Sequence, residues 1–384
     1  MTAPFPFAYA MDEHPTDAAR IVGQALAEQQ ARPAPLGLVY LSADYVEAAG
    51  AILETLKAAT GVQAWTGAVG MGVIAGGHEC FGRPALAAML LDLPDGAAQP
   101  FGPITSAVGL RAVGGQAKAF SGALGTALGI LHVDPMGDPT GAGVAGLPAA
   151  LAEAGGLYLV GGLCSGQDQM PAISSGGPAL GGATGAVVSL ESGVATGVSQ
   201  GCAPIGPVRT MTTADVGIIA ALDGAPALQA LLDDLDVEDG ADLAALRRAL
   251  AGVHIALPVK GADRRDYVVR NITGIDAARG LIGIADIVND GAGAFFCRRD
   301  PISAAVDLRE MTTTTLKRLG KPPRGALYVS CLARGPNLFG PNSEEVAIVR
   351  AALGDACPVV GFFANGEIAH DRLYGYTGVL TLFG

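Results

Sequence analysis

The chain contains few charged residues, and most of them are negative. Charged side chains make up 16% of the 384 residues, hydrophobic side chains make up 50%, and the formal net charge is -12. So few charges indicate that much of the chain is buried, and the length is sufficient for two domains. Without an excess of basic residues the protein cannot displace the counterions of a phosphate backbone, so we expect no nucleic-acid partner.

Segments that would direct the chain to a membrane or out of the cell are also absent. No apolar run approaches the roughly 18 residues of a membrane-spanning helix, so we expect no membrane insertion. The first residues, MTAPFPFAYAMDEHPTD, lack the basic start and apolar core of a secretory signal. The six cysteines lie far apart with no C-x-x-C pair, which is typical of free thiols in a reducing compartment rather than of a metal site. We therefore expect a cytoplasmic protein.

The common catalytic and nucleotide-binding motifs are missing. The sequence has no GxxxxGK[ST] phosphate loop, no HExxH helix and no GxSxG nucleophile elbow. GMGVIAGG resembles a dinucleotide fingerprint, but its spacing differs and a strand-like pattern follows it instead of a helix. With no complete catalytic set, the sequence favours binding over catalysis, and we expect no catalytic residue.

Glycine, in contrast, is abundant and follows a repeated pattern. Three segments share one predicted order of a strand, a helix, a second strand that ends in a glycine loop, and a return strand; they run from Leu36 to Pro94, from Ile130 to about Gly193, and from Arg324 to Gly384. Each loop carries two glycines five residues apart: Gly67 and Gly72, Gly161 and Gly166, Gly361 and Gly366. This pattern predicts an α/β protein (mixed α+β) with repeated β-α-β-loop-β units, mixed and largely buried sheets flanked by helices, and two associated domains.

The rest of the chain completes this predicted organisation. We expect the segment from Gly206 to Val253 to be mostly helical, RDYVVRNITGIDAARGLIGIADIVNDGAGAFFCRRD to be a meander of short strands, and PISAAVDLREMTTTTLKRL to be a helix. The predicted domains are an N-terminal extension with a helix (1–34), an N-terminal domain (35–215) and a C-terminal domain (216–384).

Candidate ligand-binding residues lie where predicted strands end. Cys331 and Arg334 follow the strand in SCLARGPN, while Asn365 and Glu367 follow the strand in GFFANGEI. Because strand ends of one β-α-β unit lie together, these side chains are expected to converge. A thiol beside a guanidinium can become reactive, although a small buried hydrophobic residue explains Cys331 as well.

Further candidates come from the same loops and from SQGCAPIGP. They are Gly361 and Gly366, which would let backbone N–H groups approach a ligand, His370, and Gln200 with Cys202. His78 and His370 each precede a carboxylate, an arrangement that suits a base or ligand but more often a structural hydrogen bond. His132 and His254 lie in apolar runs and are expected in the core, and Ser343 is expected to cap the helix SEEVAIVRAAL.

Taken in order, these landmarks resemble the FIST family, with its N-terminal and C-terminal domains. The resemblance rests on TGAVGMGVIAGGHE, SQGCAPIGP, LDGAPALQALL, SCLARGPNLFG and VVGFFANGEIAH with YTGVLTLF, and it covers the chain from about Leu36 to its end. It implies a sensory or signal-transduction role with a small ligand such as an amino acid. Some bacterial members are haem proteins that sense nitric oxide and act on histidine kinases, and a eukaryotic relative carries an F-box. Because this sequence shows no output module of its own, a separate protein partner would carry the signal.

Four functional hypotheses follow. The leading one is a stand-alone ligand-binding sensor without catalytic turnover. The second is a haem-binding nitric oxide sensor acting on a partner kinase, with His370 or His78 as the axial ligand. The third is a cysteine-dependent enzyme with Cys331 as nucleophile and His370 as base. The fourth is a protein-interaction module that would expose Phe362 and Phe363, although those residues more simply belong to a strand core.

Overall fold

The computed structural model of the chain describes residues 3–124, 127–138, 141, 143–189, 193–237, 248–259 and 266–384. The chain forms two compact units, Met1–Ser199 with Ala305–Gly384, and Gln200–Ala304. We name the first the repeat unit and the second the inserted unit, because the second interrupts the first in sequence. The domain boundaries expected at residues 34 and 215 stay predictions.

The first repeat begins before the segment that the glycine pattern marks. It contains β1 (Phe7–Ala10), α1 (Pro15–Gln29), β2 (Leu36–Ser42), α2 (Ala49–Thr60), β3 (Trp65–Gly70), β4 (Gly72–Ala75), β5 (His78–Phe81) and β6 (Leu86–Leu91). Helix α1 starts with a proline in its first turn, where no N–H partner is lost. Helix α2 ends at Gly61, whose φ of 72° forms the left-handed C-cap. Both helices bury their apolar faces against this sheet.

The second repeat has the same order of elements, and the third begins in the same way. The second contains β7 (Ala98–Ile104), α3 (Ala107–Leu124), β8 (Ala127–Val133), α4 (Leu147–Gly155), β9 (Tyr158–Leu163), β10 (Ala172–Ser174), β11 (Gly177–Ala179) and β12 (Ala183–Ser189). The third starts with β13 (Val194–Ser199), and the inserted unit then follows in the chain.

The inserted unit is an antiparallel sheet with a helix. It contains β14 (Cys202–Pro204), β15 (Arg209–Asp215), β16 (Ile218–Leu222), β17 (Ala225–Pro226), α5 (Ala227–Asp234), β18 (Val253–Pro258), β19 (Tyr267–Asp276), β20 (Leu281–Ile284) and β21 (Gly293–Arg299). The sheet runs β14-β21-β15-β16-β20-β19-β18, with β17 on β16 and β18 also on β21. The short strands predicted for residues 265–300 are confirmed as β19, β20 and β21. They do not form a meander, because β20 pairs with β16 and β19, whereas β21 pairs with β14, β15 and β18.

The expectation that Gly206 to Val253 is mostly helical is wrong for its first half. Strands β15, β16 and β17 occupy Arg209–Pro226, and only Ala227–Asp234 is helical up to residue 237, where the described range ends. The β-branched run in RTMTT and the turn at Gly217, with φ of 70°, favour a hairpin over a helix. The rest of that predicted helix falls partly on residues 238–247, outside the described residues.

The third repeat resumes after the insertion. It continues with α6 (Pro301–Leu319), β22 (Gly325–Cys331), α7 (Glu344–Leu353), β23 (Val359–Ala364), β24 (Glu367–His370), β25 (Arg372–Tyr374) and β26 (Gly378–Phe383). The helix predicted for PISAAVDLREMTTTTLKRL is confirmed by α6. Across the described ranges, no helix combines the length and apolar character needed to cross a bilayer.

All three repeats build the same mixed sheet. The first and second main strands pair in parallel, as β2 with β3, β8 with β9 and β22 with β23. The return strand pairs antiparallel with the first main strand on its other side, and the outer strand that opens the repeat pairs with the return strand. The predicted mixed α/β fold with repeated units is therefore confirmed.

Each repeat also contributes a hairpin to the sheet of another repeat. Strand β4 of the first repeat pairs with β23 of the third, β10 of the second pairs with β3 of the first, and β24 of the third pairs with β9 of the second. The exchange closes a cycle of three six-stranded sheets. The N-terminal and C-terminal parts of the repeat unit consequently share their sheets.

The first glycine of each loop allows the two parallel strands to approach closely. A Cβ atom at Gly67, Gly161 or Gly361 would lie 1.7, 1.9 or 1.7 Å from the carbonyl oxygen of Val39, Leu131 or Tyr328, respectively. No side chain fits at such distances. These glycines therefore serve strand packing, at equivalent places in the three repeats.

The loops bond to one another where the second main strands end. The links are Ser165 N to Val69 O at 3.1 Å, Asn365 N to Leu163 O at 3.1 Å, and Met71 N to Ser165 Oγ at 2.9 Å, with Ser165 Oγ donating in turn to Phe363 O. Each repeat is thus tied to the next around a ring. The glycine loops form this junction.

A buried polar group fills the centre where the sheets meet. The His132 ring hydrogen-bonds Tyr40 Oη through Nε2 and Thr66 Oγ1 through Nδ1, each at 3.1 Å, and Tyr40 stacks on Phe362 at 5.3 Å. Burial lowers the pKa of His132 to about 3, so the ring stays neutral. The core position expected for His132 is confirmed. Phe362 and Phe363 are fully buried and offer no contact surface.

Candidate functional site

Buried charged side chains of the repeat unit gather at the carboxyl end of β22. Arg334, Glu345 and Glu367 are fully buried, and Glu79 is nearly so. They come from the segment after β22, the first turn of α7, strand β24 and strand β5 of the exchanged hairpin. We name these four residues the acidic cluster.

A buried ion pair lies at the middle of the acidic cluster. Arg334 Nε donates to Glu345 Oε1 at 2.6 Å. The Glu345 carboxylate also accepts from Tyr328 Oη at 2.6 Å, from Ser330 Oγ at 3.0 Å and from the Gly335 backbone N–H at 2.7 Å. A buried ion pair is tolerated only when its remaining lone pairs and protons are satisfied, as they are on the Glu345 side. Although burial disfavours its charge, the neighbouring Glu345 keeps the pKa of Arg334 above its ordinary value.

The far side of the Arg334 guanidinium is bonded less tightly. Nη1 and Nη2 make long hydrogen bonds of 3.5 and 3.4 Å to Ser199 O and Oγ, and the ring of Phe339 lies 5.0 Å from Cζ. Ser199 is the last residue of the repeat unit before the chain enters the inserted unit. The acidic cluster therefore contacts the residue from which the insertion starts.

Glu367 is a buried carboxyl group with one oxygen lacking a partner. Its Oε2 accepts from the Thr377 N–H at 3.0 Å and from Thr377 Oγ1 at 2.7 Å, while Oε1 has no hydrogen-bond partner in the described part of the chain. Burial raises the pKa of Glu367 to about 8, even though hydrogen bonds from Thr377 and from the Cys331 thiol, and the charge of Arg334, favour its charged form. Cys331 lies beside it, and burial together with this carboxyl raises the pKa of the thiol well above its ordinary value.

Glu79 caps helix α7 from another repeat. Its Oε1 accepts from the Val346 N–H at 2.9 Å, and its own N–H donates to Ser343 Oγ at 2.9 Å. Ser343 thus stands at the predicted N-cap position, but Glu79, not Ser343, satisfies the helix. Burial raises the pKa of Glu79 to about 7, and Oε2 has no partner among the described residues.

The charges of the acidic cluster do not balance. Three carboxyl groups surround one guanidinium, and two of the carboxyl groups each have an unpartnered oxygen. Buried carboxylates without compensation are costly, so the cluster must take up either protons or a cationic group. Chemically, it is suited to hold a positively charged donor.

The other two repeats show what the same place contains without such a cluster. Ser42 of the first repeat and Asp134 of the second occupy the place of Cys331 in the third. In each repeat, the backbone N–H of this residue donates to a backbone carbonyl in the segment before the return strand: that of Ala85, Gly182 or Thr377, respectively. Ser42 Oγ accepts from the Ala85 N–H, and the Asp134 carboxylate accepts from the Met136 and Gly181 N–H groups. Their polar atoms are satisfied locally by backbone, whereas the third repeat has side-chain charges instead.

The structure brings together three of the predicted site residues and separates two others from them. Cys331, Arg334 and Glu367 lie side by side in the repeat unit. Asn365 is exposed, although its backbone joins the loop junction. His370 is also exposed, about 10 Å along β24 from Glu367, with Nδ1 2.9 Å from its neighbour Asp371.

The remaining candidates have other surroundings. Gly361 lies against the β22 backbone, and Gly366, with φ of 130°, offers its carbonyl to the Leu163 N–H at 2.9 Å. Gln200 and Cys202 belong to the inserted unit, where Gln200 Nε2 donates to Tyr267 O at 3.2 Å and Cys202 is buried.

The geometry does not fit haem at the two histidines considered for it. His370 lies at an exposed hairpin end beside Asp371 and the ring of Tyr158, and His78 is exposed beside Tyr9. An axial histidine needs a large apolar pocket on its free nitrogen, whereas both of these rings are exposed side chains on hairpins. Among the described residues, no set of three His, Cys, Asp or Glu side chains is arranged to hold a metal ion.

The sequence patterns missed the carboxylates that complete the cluster. Glu345 shares the buried face of α7 with Val346 and Val349, and an acidic residue four positions before a buried valine was the available signal. For Glu79, the sequence indicates only that a carboxylate follows His78. Its role depends on the exchange of hairpins between repeats, which the local sequence does not show.

Two family models match most of the chain, and the boundary between them falls within the inserted unit. The FIST N domain matches residues 35–225 and the FIST C domain matches residues 227–370. The uncharacterized protein Rv0628c of Mycobacterium tuberculosis is 30% identical over 377 residues, covering 91% of either chain. The uncharacterized protein Mb0898c of Mycobacterium bovis is 35% identical over 195 residues, covering 48% of this chain and 49% of its own.

Proposed function

The chain belongs to the FIST family, and we propose that it is a stand-alone sensor that binds a small ligand without catalytic turnover. FIST domains are associated with small-ligand sensing and signal transduction. The site that we assign to the ligand is the acidic cluster. Its surplus of buried carboxyl groups sets it apart from the equivalent places in the other two repeats.

We propose that the ligand of this site carries an ammonium group, as an amino acid does. The observation that carries the proposal is the pair of unpartnered carboxyl oxygens, Glu367 Oε1 and Glu79 Oε2, around an ion pair that is already satisfied. An ammonium group offers three donors and the charge that the cluster lacks. Binding would release the protons that Glu367 and Glu79 hold near neutral pH.

A sensor also needs a route from its ligand to its output. Arg334 contacts Ser199, where the chain leaves for the inserted unit. A cationic ligand that binds Glu345 or Glu367 weakens the attraction of that carboxylate for Arg334. The long hydrogen bonds from Arg334 to Ser199 would then change in length. We assign the output to that chain connection.

A protein partner would receive the signal. The inserted unit exposes the apolar side chains of Val216, Ile218 and Ile287, which adjoin through the hydrogen bond from the Gly217 N–H to Asp286 O. Exposed apolar patches rimmed by charge mark interaction sites. Here the exposed Asp215 beside Val216 supplies negative charge, whereas Asp286 is paired with Arg270. The fitting partner has an apolar centre with basic residues around it. Co-purification that changes on addition of ligand and is lost in Ile218→Asp would support this, and ligand-independent capture would contradict it.

The thiols support the compartment that we propose. All six cysteines of the chain are free and buried. Free thiols persist in a reducing environment, which supports a cytoplasmic location. The proposal without turnover also agrees with Cys331, because a thiol whose pKa is raised by burial is a poor nucleophile.

Differential scanning tests the ligand proposal. L-amino acids and their N-acetyl derivatives form matched pairs that differ in the ammonium group. We expect at least one free amino acid to raise the melting temperature while its N-acetyl derivative does not. The same ligand should have no effect on Glu367→Gln, whereas the exposed control Glu54→Gln should respond like the wild type. If no amino compound stabilises the wild type, or if Glu367→Gln responds equally, the proposal is wrong.

A further inference from the structure

A separate cavity of about 320 Å³ opens on the other side of the third repeat. Its walls come from β1, from Gln29 of α1, from the turn after β4, and from the end of α7 with the segment that leads into β23. Small-molecule sites begin at about 300 Å³, which holds a ring system with a short side chain. None of the acidic-cluster residues lines it, so it is a second place where a ligand could bind.

Two aromatic rings form one wall of this cavity. Along β1, Ala8 and Ala10 face the core, so Phe7 and Tyr9 point the other way and stay partly exposed. Their ring centroids are 5.8 Å apart with an interplanar angle of 31°, and the ring of His78 lies 5.6 Å beyond Tyr9. A row of partly exposed rings offers stacking area to a planar ligand.

The glycine turn between β4 and β5 sets the shape of the cavity. Gly76 has φ of 55°, and a Cβ atom there would lie 2.8 Å from Tyr9 Cε1. Gly77 has φ of 95°, and a Cβ atom there would lie 2.3 Å from Arg350 Nη1. Tyr9 and Arg350 therefore both rest on a turn that only glycine can form without displacing them. The ring and the guanidinium are held at neighbouring places.

Arg350 is the cation that lines the cavity, and its present partner is weak. Nη2 lies 2.7 Å from Asp355 Oδ1, but the Asp355 side chain is 94% exposed. Exposed ion pairs contribute little to stability, so a ligand carboxylate can compete for the guanidinium. Gln29, an exposed polar side chain of the wall, is occupied by its bonds to Phe7 and Ala25. Asp355 also lines the cavity, so the site recognises a ligand carboxylate through Arg350 when that carboxylate takes the place of Asp355.

We propose that this cavity binds a small aromatic carboxylate, with its ring against Phe7 and Tyr9 and its carboxylate on Arg350. The volume limits the ligand to one or two fused rings with a short acidic arm. An arginine matches a carboxylate with two parallel hydrogen bonds, and the rings provide apolar contact. The proposal is independent of the ammonium site.

Calorimetric titration of the full chain with indole-3-acetate and indole-3-acetamide tests it, because these probes differ in the carboxylate. We expect the acetate to bind at least about tenfold more tightly than the acetamide, a preference typical of one charged hydrogen-bonding pair. Arg350→Gln should remove that preference, and Tyr9→Leu should weaken both probes. Arg20→Gln, which changes an exposed arginine on α1, and Glu367→Gln should leave both affinities unchanged.

The possible outcomes separate clearly. If the acetate does not bind, if the two probes bind equally, or if Arg350→Gln keeps the preference, the cavity is not a carboxylate site. Binding of the acetate that Glu367→Gln abolishes would place the ligand at the acidic cluster and overturn the assignment. Failure of the amino-acid experiment would leave this result untouched, because the two sites share no residue.

Discussion

Replacing Glu367 by glutamine should remove much of the pH dependence of the stability of the repeat unit. In the folded protein, burial raises the pKa of Glu367 to about 8, whereas its ordinary value is 4.5. The folded state therefore holds the proton more tightly than the unfolded state. This contribution to stability is fully present below pH 4.5 and is lost as the pH rises through about 8. Glutamine mimics the neutral acid and cannot ionise.

The magnitude follows from the same pKa. At 1.36 kcal/mol for each pKa unit, the difference between the folded and unfolded values corresponds to at most about 5 kcal/mol between pH 4.5 and pH 9. The two proteins must be compared by the slope of the free energy of unfolding against pH. The glutamine N–H groups replace an oxygen that already lacks a partner, so the substitution costs some stability at every pH. We expect the wild type to lose several kcal/mol more than Glu367→Gln between pH 5 and pH 9.

Urea unfolding followed by tryptophan fluorescence measures this difference. Trp65 is the only tryptophan of the chain and is fully buried in the repeat unit, so its emission reports this unit and not the inserted one. Glu54→Gln, at an exposed pair with Lys57, is the matched control and should keep the wild-type slope. An equal loss of stability in the wild type and in Glu367→Gln would refute the reasoning.

Other consequences of the structure can be tested with single changes. Gly361→Ala should destabilise the repeat unit by several kcal/mol, since its Cβ would lie 1.7 Å from a carbonyl oxygen. Gly115→Ala in α3, with open space around it, should be neutral or stabilising. The urea midpoints of the two variants measure this difference. Arg334→Met should cost about 3–5 kcal/mol because it leaves the Glu345 carboxylate buried without its partner, and a loss below about 1 kcal/mol would contradict the buried pair. Iodoacetamide at pH 7.5 should alkylate Cys331 far more slowly than free cysteine in the folded protein, and faster labelling would revive the enzymatic hypothesis.

The repeated core of the fold could be predicted from the sequence, and its closure could not. Buried strands, amphipathic helices and paired glycines follow local periodicity, so the units starting at Leu36 and Arg324 were visible. The exchange of hairpins depends on which backbone edges meet in space, and local sequence does not specify those partners. The outer strand and first helix of each repeat were not recognised as repeated, because the inserted unit separates β13 from most of α6.

Part of the candidate site could also be predicted from the sequence, and part could not. Cys331, Arg334 and Glu367 were expected together because they follow neighbouring strands of one unit, and they do lie together. Asn365 was expected there too, but its backbone belongs to the loop junction and its side chain is exposed. Glu79 belongs to the first repeat, and local sequence does not indicate that its strand lies near Arg334 of the third repeat.

Calorimetric titration of a stabilising amino acid in buffers of different ionisation enthalpy tests the sensor proposal most directly. The account predicts that binding to the wild type releases protons at pH 7, because an ammonium group replaces those held by Glu367 and Glu79. It also predicts at least about tenfold weaker binding to Glu367→Gln than to the wild type. Binding without proton release, or with the same affinity in the variant, would contradict the claim that the acidic cluster is the ligand site.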